Sequence, residues 1–268
     1  MKKKRLIPIL LLKNGSLVQS RNFIKFQRIG SPIPVIKRLS QWASDELIYL
    51  DISRDNKYDI NRDDLKFINS NNILDIIEHI SKETFMPITI GGKIKTLEDI
   101  EIRLKKCADK VSINSEAFRN KNFIKEAAKE FGSQCIVGSI DVKKINNEYE
   151  VFIDHGKTAT ETNVIEWVKT LQDLGIGEIL LNSIDRDGLG VGYDLDLLNI
   201  IDDIIKVPLI ISGGVGKYED FEKGLNFKSV DGVAAANIFH YRDQSLFFAK
   251  KSLFEKGFNV RKPSLFKI

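Results

Sequence analysis

The first residues here that can do chemistry are glycines placed just after apolar runs. Ser212-Gly213-Gly214-Val215-Gly216 follows one run, and Ala234-Ala235-Ala236-Asn237 follows the next. In the other half of the chain, Gly91-Gly92-Lys93 and Ser112-Ile113-Asn114-Ser115 stand in the same relation to their own runs. A phosphate is held by several backbone N–H groups converging with no side chain in the way. Glycines between a strand and a helix N-terminus supply that arrangement. One Gly-Gly is ordinary turn chemistry. Two pairs at corresponding places describe two anion cradles, which suit a long ligand carrying a phosphate at each end.

Those loops need elements to hold them. Apolar runs at 6–12, 46–52, 86–90, 110–113, 134–141, 178–182, 208–211 and 232–235 read as strands. Between them, helical periodicity covers 73–84, 96–106, 123–131, 163–174, 194–205 and 218–227. Strands too apolar to face water, separated by helices, specify a parallel sheet covered on its outside. The halves also echo each other. Glu46-Leu-Ile-Tyr-Leu-Asp-Ile-Ser-Arg-Asp55 resembles Glu178-Ile-Leu-Leu-Asn-Ser-Ile-Asp-Arg-Asp187, and Met86-Pro-Ile-Thr-Ile-Gly-Gly92 resembles Val207-Pro-Leu-Ile-Ile-Ser-Gly-Gly214. Leu97-Glu-Asp99 is matched by Tyr218-Glu-Asp220, and Ala108-Asp-Lys-Val111 by Val230-Asp-Gly-Val233. An offset of about 120–130 residues is half the chain, so two half-barrel repeats are expected to close into one (β/α)8 TIM barrel. Residues 1–268 then form a single domain with no linker. Two insertions, 13–31 and 143–153, carry the turn signals Asn14-Gly15 and Asn146-Asn147 and read as hairpins over the C-terminal face.

Composition narrows the partners. A net charge of +4 with dispersed basic residues gives no footprint for nucleic acid. The basic run from Lys2 to Arg5 reads as a solvated start to the first strand. The apolar run after it falls far short of the ~20 residues that span a bilayer. Cys107 and Cys135 match no metal or redox spacing and read as packed thiols of a reducing cytoplasm. Neither a metal nor a cofactor is called for.

Several motifs together resemble one family. They are Asp45-Glu-Leu47 with Leu50-Asp-Ile52, Ala108-Asp-Lys-Val-Ser-Ile-Asn114, Gly177-Glu-Ile-Leu-Leu181, Ser183-Ile-Asp-Arg-Asp-Gly188, Gly192-Tyr-Asp194, Ser212-Gly-Gly214 and Ile238-Phe-His240. They are similar to the cyclase subunit of imidazole glycerol phosphate synthase, and the likeness runs from Arg5 to about Arg261. That subunit forms a heterodimer with a glutaminase docked beneath the barrel and uses its ammonia to make imidazole glycerol phosphate and an aminoimidazole carboxamide ribotide. The resemblance implies roles. Lys93, Asn114 and Ser115 fall at one phosphate site of a phosphorylated small-molecule ligand; Asp187, Gly188, Gly214 and Asn237 fall at the other. Arg5, Glu46, Lys110 and Glu178 fall at a charged ring through which ammonia enters. All four stand at the N-terminal ends of strands, where two cations and two anions neutralise each other. A structural plug that merely closes the barrel is the competing reading of the ring.

The family's acid/base chemistry uses two aspartates, ending the first and fifth strands. Asp141 fills the second place, as the expected catalytic residue. The first place holds Leu11, which can neither take nor give a proton. Lys93 replaces a third glycine, Gln19 a lysine of the first loop, and Asn182 a threonine. An intact ring beneath a broken acid/base pair resembles a divergent branch of the family. That branch is associated with converting acetamido to acetamidino groups on surface-polysaccharide sugars, with ammonia passed to a separate sugar amidotransferase. An authentic histidine-pathway cyclase and a non-catalytic activator of the glutaminase are the alternatives.

Overall fold

The computed structural model describes residues 2–54, 72–81 and 86–265. In chain order the elements are β1 (Arg5–Lys13), β2 (Ser16–Arg21), β3 (Lys25–Gly30), α1 (Pro32–Gln41), β4 (Leu47–Asp51), α2 (Ile73–Ser81) and β5 (Ile88–Gly91). They continue with α3 (Leu97–Lys105), β6 (Lys110–Ile113), α4 (Ser115–Arg119), α5 (Lys121–Phe131), β7 (Ile136–Ile145), β8 (Glu148–Ile153) and β9 (Thr158–Asn163). The last are α6 (Val164–Asp173), β10 (Glu178–Ser183), α7 (Leu195–Ile201), β11 (Leu209–Ser212), α8 (Tyr218–Leu225), β12 (Val230–Ala235) and α9 (Ser245–Glu255).

Eight of the strands pair in parallel in the order β1-β4-β5-β6-β7-β10-β11-β12, and β12 returns to β1. The expected closed (β/α)8 barrel is what the chain forms. Period-two alternation explains how each strand is apolar throughout. In β1, Leu6, Leu10 and Leu12 belong to the large core beneath the helices, while Ile7 and Ile9 point into the barrel. They meet Ile48, Val137, Leu180, Ile210 and Ala234 there, with Leu11, Leu50 and Ala236 on the edge of that inner cluster.

The internal echo has a physical basis at the helix starts. Asp99 accepts the backbone N–H groups of Lys95 and Thr96, each at 3.0 Å, and its counterpart Asp220 accepts those of Gly216 and Lys217 at 3.0 and 3.1 Å. Each carboxylate satisfies N–H groups that a helix start would leave orphaned.

Both expected hairpins are present. Asn14 and Gly15 (φ 49° and 75°), like Asn146 and Asn147 (φ 48° and 67°), adopt the doubly left-handed turn that suits strand twist. Hence β1 pairs antiparallel with β2, and β7 with β8. Each insertion also adds a further strand, β3 or β9, beyond the hairpin read from sequence. Helices α1 and α9 were not anticipated either. The helix expected at 73–84 runs to Ser81, and its last three positions lie outside the described residues. One packing expectation fails: Cys107 is exposed, because the chain turns left-handed there (φ 75°) as it leaves α3. Nor is the basic start simply solvated: Arg5 enters the barrel floor, and Lys4 forms a parallel bridge with Val260, beyond α9. Among the described residues no helix is long and apolar enough to cross a membrane.

Candidate functional site

At the N-terminal end of the barrel four charges form a closed ring. Arg5 donates to Glu46 at 2.7 Å and to Glu178 at 2.5 Å; Lys110 reaches the same two carboxylates at 2.8 and 2.7 Å. Every carboxylate oxygen of the ring therefore has a cation. The carboxylates are buried (3% and 6% side-chain exposure), and the cations keep 22% and 18% toward the outside. Burial alone would raise the Glu46 pKa, but Lys110 and Arg5 outweigh it and hold it below its ordinary value. Burial likewise works against the Arg5 charge, and Glu178 and Glu46 overcome it. Thr89 on β5 donates to Glu46 at 2.8 Å, a support that the sequence reading missed. The repeat explains the asymmetry of the ring. Lys110 corresponds to Gly232, which pairs in register with Arg5, and a side chain at Gly232 would begin 3.7 Å from the Arg5 guanidinium. Ile7 and Ile210 lie closer still, at 3.0 and 3.2 Å from that point, so the position has room for little more than glycine.

Above the ring lies the inner aliphatic cluster, and above that the mouth. There a cavity of about 480 Å³ is lined by Lys93, Asn114, Ser115 and Asp141 together with Asp187, Gly188, Gly214 and Asn237. The residues read as two cradles thus share one cleft. Gly213 and Gly214 take φ of 95° and 99°, and an added Cβ would stand 2.7 Å from Ser183 O and 2.2 Å from Gly192 O respectively. Only glycine fits that turn. Lys93 holds the matching position in the other half at φ 55°, with its ammonium 3.5 Å from Asp51.

Asp141 stands between the halves on β7. Asn114 donates to one of its oxygens at 2.9 Å and Asn182 to the other at 3.4 Å. Burial first, and then the charge of Asp187, push its pKa from 3.8 to about 7 against those two bonds. A carboxyl titrating there can both accept and donate a proton near neutrality. Leu11 holds the place at the end of the first strand where the family's other aspartate was expected; it lines the cavity and extends the aliphatic interior upward.

The model of the histidine biosynthesis protein family matches residues 5–245. The chain belongs to that family. Its members are enzymes of histidine biosynthesis, among them the cyclase subunit that the motifs resemble.

Two of the residues expected at the second phosphate site, Asp187 and Asn237, also make bonds to the β2–β3 hairpin. Asp187 accepts from Ser20 Oγ at 2.6 Å and from the Phe23 N–H at 3.3 Å, and Asn237 donates to Ser20 O at 3.1 Å. Both side chains clasp the β2–β3 hairpin across the mouth, and Asn22 adds bonds to the carbonyls of Ile184 and Asp185. Gly188 permits the approach, since a Cβ there would lie 2.1 Å from Ser20 O. The β8–β9 turn closes the other side. Arg119 grips Asp154 at 2.6 and 2.7 Å, and the Asp154 N–H donates to Ser115 Oγ at 3.0 Å. Neither Ser20 nor Arg119 carried a signal in sequence, because each acts on a partner far along the chain.

Proposed function

We propose that this chain is the ammonia-receiving barrel of a glutamine-dependent synthase, acting in the cytoplasm as a heterodimer with a glutaminase. The observation that carries the reading is the alternating ring of Arg5, Glu46, Lys110 and Glu178 closing the floor beneath an aliphatic interior. A packed plug would need no charges: burying four and pairing them is rarely more stable than aliphatic residues of similar size. A polar ring can open by exchanging partners, and ammonia is small and neutral enough to cross the aliphatic layer above.

The mouth then receives ammonia beside a phosphorylated ligand and a single poised carboxyl, Asp141. With Leu11 in place of a second carboxylate, two-residue proton transfer on the histidine-pathway ribotide is lost, at a cost of about 10²–10⁴ in rate. We therefore assign the chain to the divergent branch that serves acetamido-to-acetamidino conversion, passing ammonia toward a sugar amidotransferase.

Reconstitution with a glutaminase of this synthase type tests both parts. Glutamine hydrolysis is expected to rise at least about tenfold when this chain is added, the scale of a modest allosteric coupling. Turnover of the ribotide is expected only in Leu11→Asp. Absence of any stimulation sinks the ammonia-receiving reading. Wild-type turnover at an ordinary rate, abolished by Asp141→Asn, sinks the divergent-branch reading and leaves a histidine-pathway cyclase.

A further inference from the structure

Across the β2–β3 hairpin from the mouth lies a second cavity, a groove of about 800 Å³. Small-molecule sites span about 300–1,000 Å³. The groove is distinct from the glycine cradles. Gly213, Gly214, Ala235 and Ala236 line the mouth and not the groove, whereas Lys217, Tyr218, Tyr241 and Arg242 line the groove and not the mouth. Ser20, Phe26 and Asn237 line both, so the hairpin clasped by Asp187 and Asn237 is the partition between them.

Cations come to this groove from both sides. Arg21 and Lys25 face each other across β2 and β3, and Lys217 and Arg242 belong to the loops before α8 and α9. All four are exposed, and none makes a salt bridge with a described carboxylate. Among the described lining residues Glu219 is the one acid, so four cations against one carboxylate leave an excess of three. Like charges directly opposed across a strand pair are destabilising. Arg21 opposite Lys25 therefore carries a cost that an anion between the two sides would remove. The groove also offers faces for a ring. Tyr241 is 65% exposed, and Tyr218 and Phe26 are half-buried in the lining. Gly190 and Gly216 leave part of its surface as bare backbone, and a Cβ on Gly216 would stand 2.3 Å from Gly190 O.

We propose that this groove is a second ligand site, separate from the mouth, for a nucleoside diphosphate. A diphosphate spreads its charge over two groups, one for each cationic side, and the aromatic faces take the base. Such a ligand joins Arg21 and Lys25 of the hairpin to Lys217 and Arg242 of the barrel. It thereby holds the hairpin down over the mouth.

Uridine diphosphate is the probe, with inorganic pyrophosphate as the arm that lacks a ring. Binding to the full chain is measured by calorimetry, and hairpin closure by the rate of trypsin cleavage after Arg21 and Lys25. Uridine diphosphate should bind once in the groove and slow that cleavage several-fold. The double variant Lys217→Gln/Arg242→Gln changes two exposed side chains outside the mouth and retains the fold. It should abolish the protection and weaken binding at least about tenfold, the scale of one lost charge-assisted hydrogen bond. Tyr241→Ala should weaken uridine diphosphate several-fold and leave pyrophosphate unchanged. Lys93→Gly, in the mouth, should leave the protection intact. No protection at millimolar uridine diphosphate, or protection that survives the double variant, would overturn the proposal. So would protection lost in Lys93→Gly, which would put the ligand in the mouth, or pyrophosphate binding as tightly as uridine diphosphate. None of these outcomes bears on glutaminase stimulation, so this site and the ammonia-receiving reading fail separately.

Discussion

Asp141 shows how one side chain can acquire two properties from its surroundings. Two amide donors hold its carboxylate in place, while burial and the nearby Asp187 charge disfavour ionisation and win. Because the folded pKa of about 7 lies above the unfolded value of 3.8, the native state holds a proton between those limits that the unfolded chain has released. Stability from this group is complete below the unfolded value, falls as pH rises, and is lost above about 7. Asp141→Asn should therefore match wild type in urea unfolding at pH 4 and exceed it at pH 8. The gain should be on the order of 2 kcal/mol, discounted because the carboxyl faces an open cavity. A gain of equal size at both pH values would show that ionisation is not the cause. The presence of Asp141 could be read from its place at a strand end. Its poise could not, since that depends on Asn182 and Asp187, which lie more than forty residues away in sequence and meet it only in the closed barrel.

Between residues and barrel stands the β2–β3 hairpin. The Asn14-Gly15 turn that leads into it from β1 was legible because Asn-Gly is a local signal; the hairpin's destination was not, because Ser20 gives no hint that it will meet Asp187 and Asn237. The same limit explains the missed β9, whose polar Thr-Ala-Thr-Glu-Thr-Asn run lacks the apolar alternation of a half-buried strand. Helix α1, by contrast, did carry a readable start in Ser31-Pro32, with proline at the first helical turn. The clasp makes a prediction at this scale. Gly188→Ala places a methyl group against Ser20 O and a side chain at φ 69°, which costs about 1–2 kcal/mol for the backbone alone. The hairpin should relieve the clash by lifting, while the barrel below stays folded. Arg21 and Lys25 are exposed beside the hairpin tip, so limited trypsin digestion should cut there several-fold faster, with the far-ultraviolet circular dichroism spectrum unchanged. Unchanged cleavage would mean that the hairpin tolerates the methyl and is not held by this contact.

For the whole molecule, the floor ring separates what stabilises the barrel from what the barrel is for. Removing one member, as in Arg5→Ala, leaves Glu46 and Glu178 buried with Lys110 as their only ring cation. Breaking a buried pair in this way costs about 3–5 kcal/mol, a fall in Tm of roughly 10 °C for a chain of this size. Replacing the whole ring together with its support (Arg5→Met, Glu46→Leu, Lys110→Met, Glu178→Leu, Thr89→Val) removes every charge and every orphaned donor at once. Such a floor should melt at or above the wild-type temperature. It should also resist acid better, because the Glu46 contribution to wild-type stability is present above 4.5 and is lost as pH falls through its lowered folded pKa. If the ring were only a plug, this apolar floor would serve as well as the original. If it is an entrance, a barrel that is more stable than wild type will neither stimulate the glutaminase nor pass its ammonia upward. Measuring thermal stability and glutamine hydrolysis on the same preparation decides the matter: both rising together would make the charges dispensable, whereas stability without coupling would place the function of the floor in its polarity.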